Sequence, residues 1–210
     1  MIARRAAFLA DYQDAAWAAR YRAIVDRVRR AEAPSGSETL TDAVARSLFK
    51  LMSYKDEHEV ARLHVATGFR EGLMREFTGD FKLRYHLAPP LLPAGRDARG
   101  RPRKIALGSW MHGPLALLAR LKRLRGTPFD PFGYAAERRA ERGLISWYDE
   151  LVALALRELP RTGVARLVPI AAAAMEIRGY GPVKGKAIAE VKARVAQLVD
   201  ALKEEPRAAA

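Results

Sequence analysis

Residues 81–87 read FKLRYHL, and this stretch decides the fold because the period of the apolar pattern changes here. Its apolar side chains recur at every second position, with Lys, Arg or His between them, which is typical of a half-buried strand. Residues 104–107 offer a return strand. The sequence therefore predicts an antiparallel hairpin over about residues 81–107. The side chains expected on its covered face are Phe81, Leu83, Tyr85 and Leu87.

On both sides of this stretch, apolar residues recur at three- and four-residue steps, the period of an amphipathic helix. Two strands alone are marginally stable, so helices must cover one face of the hairpin. We therefore predict a mostly α fold: a single helical domain over residues 1–205 with one antiparallel β-hairpin inserted, and a frayed tail at 206–210. The predicted helices are residues 1–32, a helix that Thr39 or Thr41 caps, Lys55–Val65, Gly68–Phe77, Trp110–Arg125, Ala135–Leu159, Gly163–Ile177 and Val183 to about Glu204.

Two of these helices carry more detailed expectations. The first has no capping side chain, and Arg4 and Arg5 lie in its first turn, where the helix dipole disfavours cations. Such a helix either frays at its start or begins further upstream. The helix Trp110–Arg125 separates its apolar and cationic residues. Expected inward are Leu118, Leu121 and Leu124; expected outward are Arg120, Lys122, Arg123 and Arg125.

Composition excludes several classes of protein. The 210 residues contain no cysteine, which removes disulfides, cysteine-ligated zinc and cysteine-ligated iron–sulfur clusters. The longest apolar run, Val164–Met175, contains Arg166 and Pro169, and the N-terminus lacks a signal-peptide pattern, so we expect a cytoplasmic protein without membrane contact. The net charge of +13 indicates either an arginine-rich solvated surface or an anionic partner.

The sequence contains no recognisable catalytic or metal-binding motif. His58 and His64 are six residues apart, about 240° around a helix, so they cannot share one metal ion. No Gly-x-Ser-x-Gly occurs. Asp130 lies between two prolines, where an aspartate usually accepts bonds from its own turn, although it could also bind a cation.

Residues 178–188 read RGYGPVKGKAI and form the most suggestive local pattern. A glycine turn here opens a helix, and free amides at a helix start can hold a phosphate. The candidate anion-binding residues are Arg178, Lys184 and Lys186. The turn also resembles the helix-hairpin-helix element of DNA-binding proteins. The plainer interpretation is a glycine-ended helix followed by a helix that Pro182 starts.

Several stretches together resemble one family. They are residues 2–9, 12–16, 19–21, 41–52, 54–57, 81–83, 86–90, 118–122, 124–127, 129–134 and 177–181. In this order, and over essentially the whole chain, they are similar to the C-terminal helical region of the long fused indolepyruvate ferredoxin oxidoreductases, a region with no assigned activity. The resemblance implies an enzyme that oxidatively decarboxylates aryl-pyruvates to acyl-CoA with thiamine diphosphate and passes electrons through iron–sulfur clusters to ferredoxin.

None of that machinery can be carried onto this chain, so we expect no catalytic residue, no metal site and no cofactor of its own. The resemblance implies a structural or docking role beside the catalytic domains. The positive surface would suit acidic ferredoxin or the phosphates of CoA. We expect an exposed apolar patch around Phe8 and Tyr12 and along the connector 129–134. The alternative is a basic nucleic-acid-binding module that uses the turn at 178–188.

Overall fold

The computed structural model describes residues 1–66, 68–79, 82–88, 95 and 103–204. These residues form nine α-helices, four short 3-10 helices and one two-stranded antiparallel sheet. The predicted mostly α fold with one hairpin is confirmed, while the predicted tail 206–210 lies outside the described residues. Within this part of the chain, no helix combines the length and the hydropathy needed to cross a bilayer.

The helices and the hairpin group into two compact units. Unit 1 consists of Met1–Tyr54 and Ala136–Ala210, and unit 2 consists of Lys55–Ala135. Unit 1 contains three helices from the start of the chain and three from its end. Unit 2 contains the other three helices and the hairpin. The single domain expected over residues 1–205 stays a prediction.

Unit 1 begins with two helices, α1 (Ile2–Tyr12) and α2 (Ala15–Glu32), so the prediction of one helix over 1–32 is wrong. The break occurs at Asp14, whose backbone is extended and whose carboxylate accepts a hydrogen bond from the Trp17 amide at 2.8 Å. A short polar side chain that bonds a backbone amide in this way caps a new helix. As expected, no side chain caps the start of α1.

The next helix, α3 (Thr39–Met52), is capped from a distance. Neither Thr39 nor Thr41 is the capping residue, because the helix begins at Thr39 and Thr41 lies inside it. Instead, the buried carboxylate of Glu32, at the end of α2, accepts bonds from the amides of Leu40 and Thr41 at 2.8 and 2.7 Å. The Thr41 hydroxyl donates a third bond at 2.6 Å.

The remaining helices of unit 1 are α7 (Ala136–Thr162), α8 (Val164–Ala172) and α9 (Gly181–Glu204), with a 3-10 helix at Ala173–Glu176. Their bounds differ by only a few residues from those of the three helices predicted for this part of the sequence. Three fully buried tyrosines anchor the core through their hydroxyl groups. The hydroxyls donate to backbone carbonyls: Tyr12 to Tyr54, Tyr21 to Ala45 and Tyr148 to Ala171.

Unit 2 contains α4 (Glu57–Val65), α5 (Phe69–Glu76) and the hairpin. Strand β1 (Tyr85–Leu87) pairs antiparallel with β2 (Ile105–Leu107), and Tyr85 lies opposite Leu107. Tyr85 is buried, Leu83 and Leu87 are half-buried, and Arg84 and His86 are exposed, as the period of two predicts. Phe81 lies outside the described residues.

The predicted helix Trp110–Arg125 is shorter than expected. It consists of α6 (His112–Arg120) between two 3-10 helices, Ser109–Met111 and Leu121–Leu124. Its buried residues are Leu115 and Ala119, which pack with Ala61 and Tyr85. Two predictions are wrong here: Leu121 is exposed and Arg125 is buried.

Candidate functional site

The glycine turn of unit 1 joins the 3-10 helix Ala173–Glu176 to α9. Gly179 and Gly181 both have positive φ, 95° and 55°. A Cβ atom on Gly179 would lie 2.7 Å from Cγ1 of Val183, closer than real side chains come. The sequence-predicted turn is therefore present, and position 179 requires glycine for both its backbone conformation and its space.

The three predicted anion-binding residues lie around the start of α9, but their side chains do not contact a common partner. Lys184 donates to both carboxylate oxygens of Glu141 on α7, at 2.6 and 2.7 Å. Lys186 is exposed and lies 3.7 Å from Glu190. Arg178 is exposed in the turn itself. The two lysines thus do not converge on one point, and anion binding by these residues stays a prediction.

A further cation, Lys50 in the last turn of α3, belongs to this region. Its Nζ donates to the carbonyls of Ala174 and Met175 at 3.0 and 2.7 Å. Burial, with a smaller contribution from the positive charges of Arg178 and Lys184, lowers the pKa of Lys50 to about 8. We call Lys50, Arg178 and Lys184 the turn cluster.

The turn cluster can do two things chemically. Its positive charge favours an anion, and the lowered pKa of Lys50, about 8, makes this amine easier to deprotonate than an ordinary lysine. The nearby carboxylate of Glu176 is held by Arg194 at 2.6 Å. Sequence reasoning missed Lys50 because it lies 124 residues from its nearest carbonyl partner, and no local motif marks it.

Unit 2 contains a separate group of buried polar residues. Asp56 caps α4 by accepting from the Glu59 amide at 2.8 Å. The same carboxylate accepts Nε and Nη2 of Arg125 at 2.5 and 2.9 Å, and both side chains are buried. This two-point ion pair explains why Arg125 is not on the surface: its guanidinium satisfies a carboxylate that must stay inside to cap the helix.

Asp130 is the second buried carboxylate of unit 2. It accepts bonds from the amides of Gly126 and Phe132 at 3.0 and 3.1 Å, which confirms the turn interpretation of this residue. Burial alone would raise the pKa of Asp130, but these amides and the neighbouring imidazole of His58 hold it below its ordinary value. Nε2 of His58 lies 3.5 Å from Oδ1 of Asp130, at the outer limit of a hydrogen bond.

His58 and His64, two histidines of unit 2, make their contacts within the unit. Nδ1 of His58 lies 3.0 Å from the Leu118 carbonyl, and the ring of His64 packs edge-on against Tyr85. In the ranges that the structure describes, no group of three His, Cys, Asp or Glu side chains could hold a metal ion.

The scan against protein families matches the family of unknown function DUF6537 over residues 1–197. The chain belongs to this family. The match spans the whole of unit 2 and most of unit 1. Neither the curated proteins nor the solved structures give a match.

The apolar surface of this DUF6537 chain is only partly where the sequence predicts it. Tyr12 is fully buried and Phe8 packs against Phe49, so the N-terminal half of the expected patch is wrong: these aromatic residues join the core of unit 1. The connector fits the expectation, because Phe129 and Tyr134 are 79% and 62% exposed. The Tyr134 hydroxyl donates to the Pro128 carbonyl at 2.8 Å, which fixes the connector locally.

Proposed function

We propose that this chain is a non-catalytic docking domain of an indolepyruvate (2-oxoacid) ferredoxin oxidoreductase, the family that its sequence resembles. The complete enzyme would oxidatively decarboxylate aryl-pyruvates to acyl-CoA. Thiamine diphosphate and the iron–sulfur clusters would belong to its other domains, and this chain would contribute no cofactor. A cytoplasmic location goes with this proposal.

The apolar surface of unit 2 is the observation that carries the proposal. A few scattered apolar residues are ordinary on a protein surface, but a small unit that exposes many of them is typical of a surface that a partner covers. Sequence residues 55–135 contain most of the large exposed apolar side chains of the described chain. They are Leu63, Met74, Phe77, Trp110, Leu117, Leu121, Phe129 and Tyr134.

Charge supports the same role. A net charge of +13 favours association with acidic surfaces and increases the rate of encounter. The catalytic domains of the same enzyme are the first candidate partner. Acidic ferredoxin is a second, and CoA is a third, because the turn cluster offers cations to its phosphate groups. All three partners are proposals.

A mixing experiment tests the docking role. The thiamine-bearing part of such an oxidoreductase is expressed without its C-terminal region and is shown to bind thiamine diphosphate. The 210-residue chain is then titrated into it in a calorimeter, and the activity and melting temperature of the catalytic part are measured with and without the chain. We expect association and a change in stability or activity. No association and no change in either property would refute the proposal.

Nucleic-acid binding is the second candidate function, and the turn cluster is the observation that favours it. A nucleic-acid site there would bind duplex DNA regardless of sequence, with an affinity that falls steeply as salt rises. The contact between Lys184 and Glu141 weakens this candidate, because one of the cations is already neutralised. If Lys50→Ala with Arg178→Ala abolishes duplex binding while Arg27→Ala with Arg30→Ala does not, this candidate gains over docking.

A further inference from the structure

Helix α6 is apolar on two opposite faces, and only one of them is used within unit 2. Leu115 and Ala119, four residues apart, are buried in the small core of the unit. On the opposite face, Leu117 of α6 and Leu121, the first residue of the following 3-10 helix, are also four residues apart, and they are 59% and 39% exposed. Trp110, in the 3-10 helix that precedes α6, is 65% exposed. We call Trp110, Leu117 and Leu121 the α6 face.

The α6 face has small residues near its centre, and we call the exposed Arg120 and Arg123 its cationic rim. Gly113 and Pro114 lie between Trp110 and Leu117 and are exposed, so no bulky side chain separates the large ones. Arg120 directly precedes Leu121, Arg123 lies two residues after it, and both arginines are exposed. The described part of the chain gives neither arginine an ion-pair partner.

The sequence around this face contains no negative charge. No Asp or Glu occurs between Asp97 and Asp130, whereas Arg120, Lys122 and Arg123 lie directly on the segment. Two carboxylates of unit 2, Asp56 and Asp130, are buried and lie beside Arg125 and His58 respectively. The surface charge of the segment is thus positive.

We propose that the α6 face is the docking surface for an acidic protein partner, one that presents a small apolar patch surrounded by aspartate or glutamate side chains. This inference rests on the proposed docking function and names the surface and the chemistry of the partner.

Three physical arguments favour a protein over other occupants. Exposed tryptophan and arginine are among the residues enriched in protein-binding hot spots, and the neighbouring leucines have no counterpart on a nucleic acid. A second copy of this chain would bring arginine against arginine, which like-charge repulsion disfavours. A bilayer would need a longer apolar stripe, because the α6 face spans roughly 16 Å along a helix held from behind by its other face.

The test measures the affinity of the 210-residue chain for the thiamine-bearing part of the oxidoreductase, with two variants of the α6 face. Leu117→Gln removes the apolar centre, and Arg120→Glu with Arg123→Glu reverses the rim. The matched controls are Val183→Gln, an exposed apolar residue on α9 in unit 1, and Arg27→Glu with Arg30→Glu, an exposed pair with the same spacing on α2. Circular dichroism checks that all variants keep their helix content.

We expect each variant of the α6 face to weaken binding by about 10-fold or more, the size expected of a hot-spot residue, and each control by less than about 2-fold. The affinity of the unaltered chain should also fall in higher salt. Binding that both α6 variants leave unchanged would overturn this inference and leave the docking function standing. No binding by the unaltered chain would overturn both. Binding to phosphatidylglycerol vesicles that Leu117→Gln abolishes would make the face a membrane contact and overturn the protein partner.

Discussion

At the scale of single residues, buried carboxylates fix the local geometry of both units. Glu32 accepts two backbone amides at the start of α3, Asp56 accepts one at the start of α4, and Asp130 accepts two in its turn. The first amides of a helix have no partner within the helix, so an acceptor from elsewhere is needed when they are buried. A buried charge is tolerated only where such bonds replace its hydration.

Replacing Glu32 with alanine should destabilise unit 1 markedly. The change leaves the Leu40 and Thr41 amides and the Thr41 hydroxyl as buried donors without an acceptor. We expect a loss of about 2–3 kcal/mol in the free energy of unfolding, because each unsatisfied buried group costs on the order of 1 kcal/mol or more. Urea denaturation measures it. Glu38→Ala, at the exposed position directly before α3, serves as the control and should cost less than about 0.5 kcal/mol; equal losses would show that Glu32 is not the cap.

The contribution of Glu32 should depend on pH. Burial raises the pKa of this carboxyl, but the hydrogen bonds from Thr41 and Leu40 outweigh that effect and hold it below its ordinary value. A carboxyl with a lowered folded-state pKa stabilises the fold above its unfolded-state pKa, about 4.3 for glutamate, and loses this effect as the pH falls through the folded-state pKa. The difference in unfolding free energy between the unaltered chain and Glu32→Gln should therefore be constant near neutral pH and shrink in acid. A difference that stays constant throughout acid unfolding would contradict this.

At the scale of secondary structure, the periodicity of apolar residues predicts the type of each element well, but it does not predict where one helix ends and the next begins. The period of two over residues 81–87 predicts a strand of a hairpin, and the structure confirms the hairpin with Tyr85–Leu87 as that strand, because alternation of burial is a local property of a strand. The break between α1 and α2 is missed, although Asp14 carries the signal. Apolar residues continue in phase across Asp14, so the helical pattern hides the cap.

No local sequence pattern predicts that Arg125 is buried. Its partner Asp56 lies 69 residues away in the sequence, and nothing in the alternation of residues 110–125 distinguishes a buried arginine from a solvated one. The same limit applies to Leu121. A leucine in phase with other leucines is expected inward, but the buried face is the one that carries Leu115 and Ala119, and Leu121 lies two residues after Ala119, about 200° around the helix.

Asp14 offers a direct test of the break between α1 and α2. Asp14→Ala removes the acceptor for the Trp17 amide and should lower the free energy of unfolding by about 1 kcal/mol, the usual value of a helix cap. Asp14→Ser keeps an oxygen that can accept the same bond and should retain most of the stability. Thermal or urea unfolding compares the two variants. If serine is as destabilising as alanine, the capping bond does not explain the break.

At the scale of the whole molecule, the sequence predicts only part of the candidate site. The glycine turn is predicted correctly because Gly179 and Gly181 meet local backbone needs. The turn cluster is not, because Lys50 reaches the turn from α3 and Lys184 is drawn to Glu141 on α7. Tertiary packing decides which cations share a surface, and a single sequence does not contain that information. The net charge of +13 is visible at once, but it does not say which face a partner would use.

The docking proposal makes a prediction for the chain as a whole: it should neither bind thiamine diphosphate nor decarboxylate aryl-pyruvates on its own. A diphosphate cofactor is usually held through Mg²⁺ by carboxylates, and the buried carboxylates described in both units already hold helix starts or cations. The turn cluster could attract a diphosphate, but Lys184 is already paired with Glu141 and Lys50 already donates to two carbonyls, so we expect binding far short of the roughly 8 kcal/mol that a micromolar affinity requires. Calorimetry with thiamine diphosphate and Mg²⁺ measures this, with the thiamine-bearing part of the oxidoreductase as the positive control. Micromolar binding by the 210-residue chain would contradict the prediction, and its loss in Arg178→Ala would locate the site at the turn cluster.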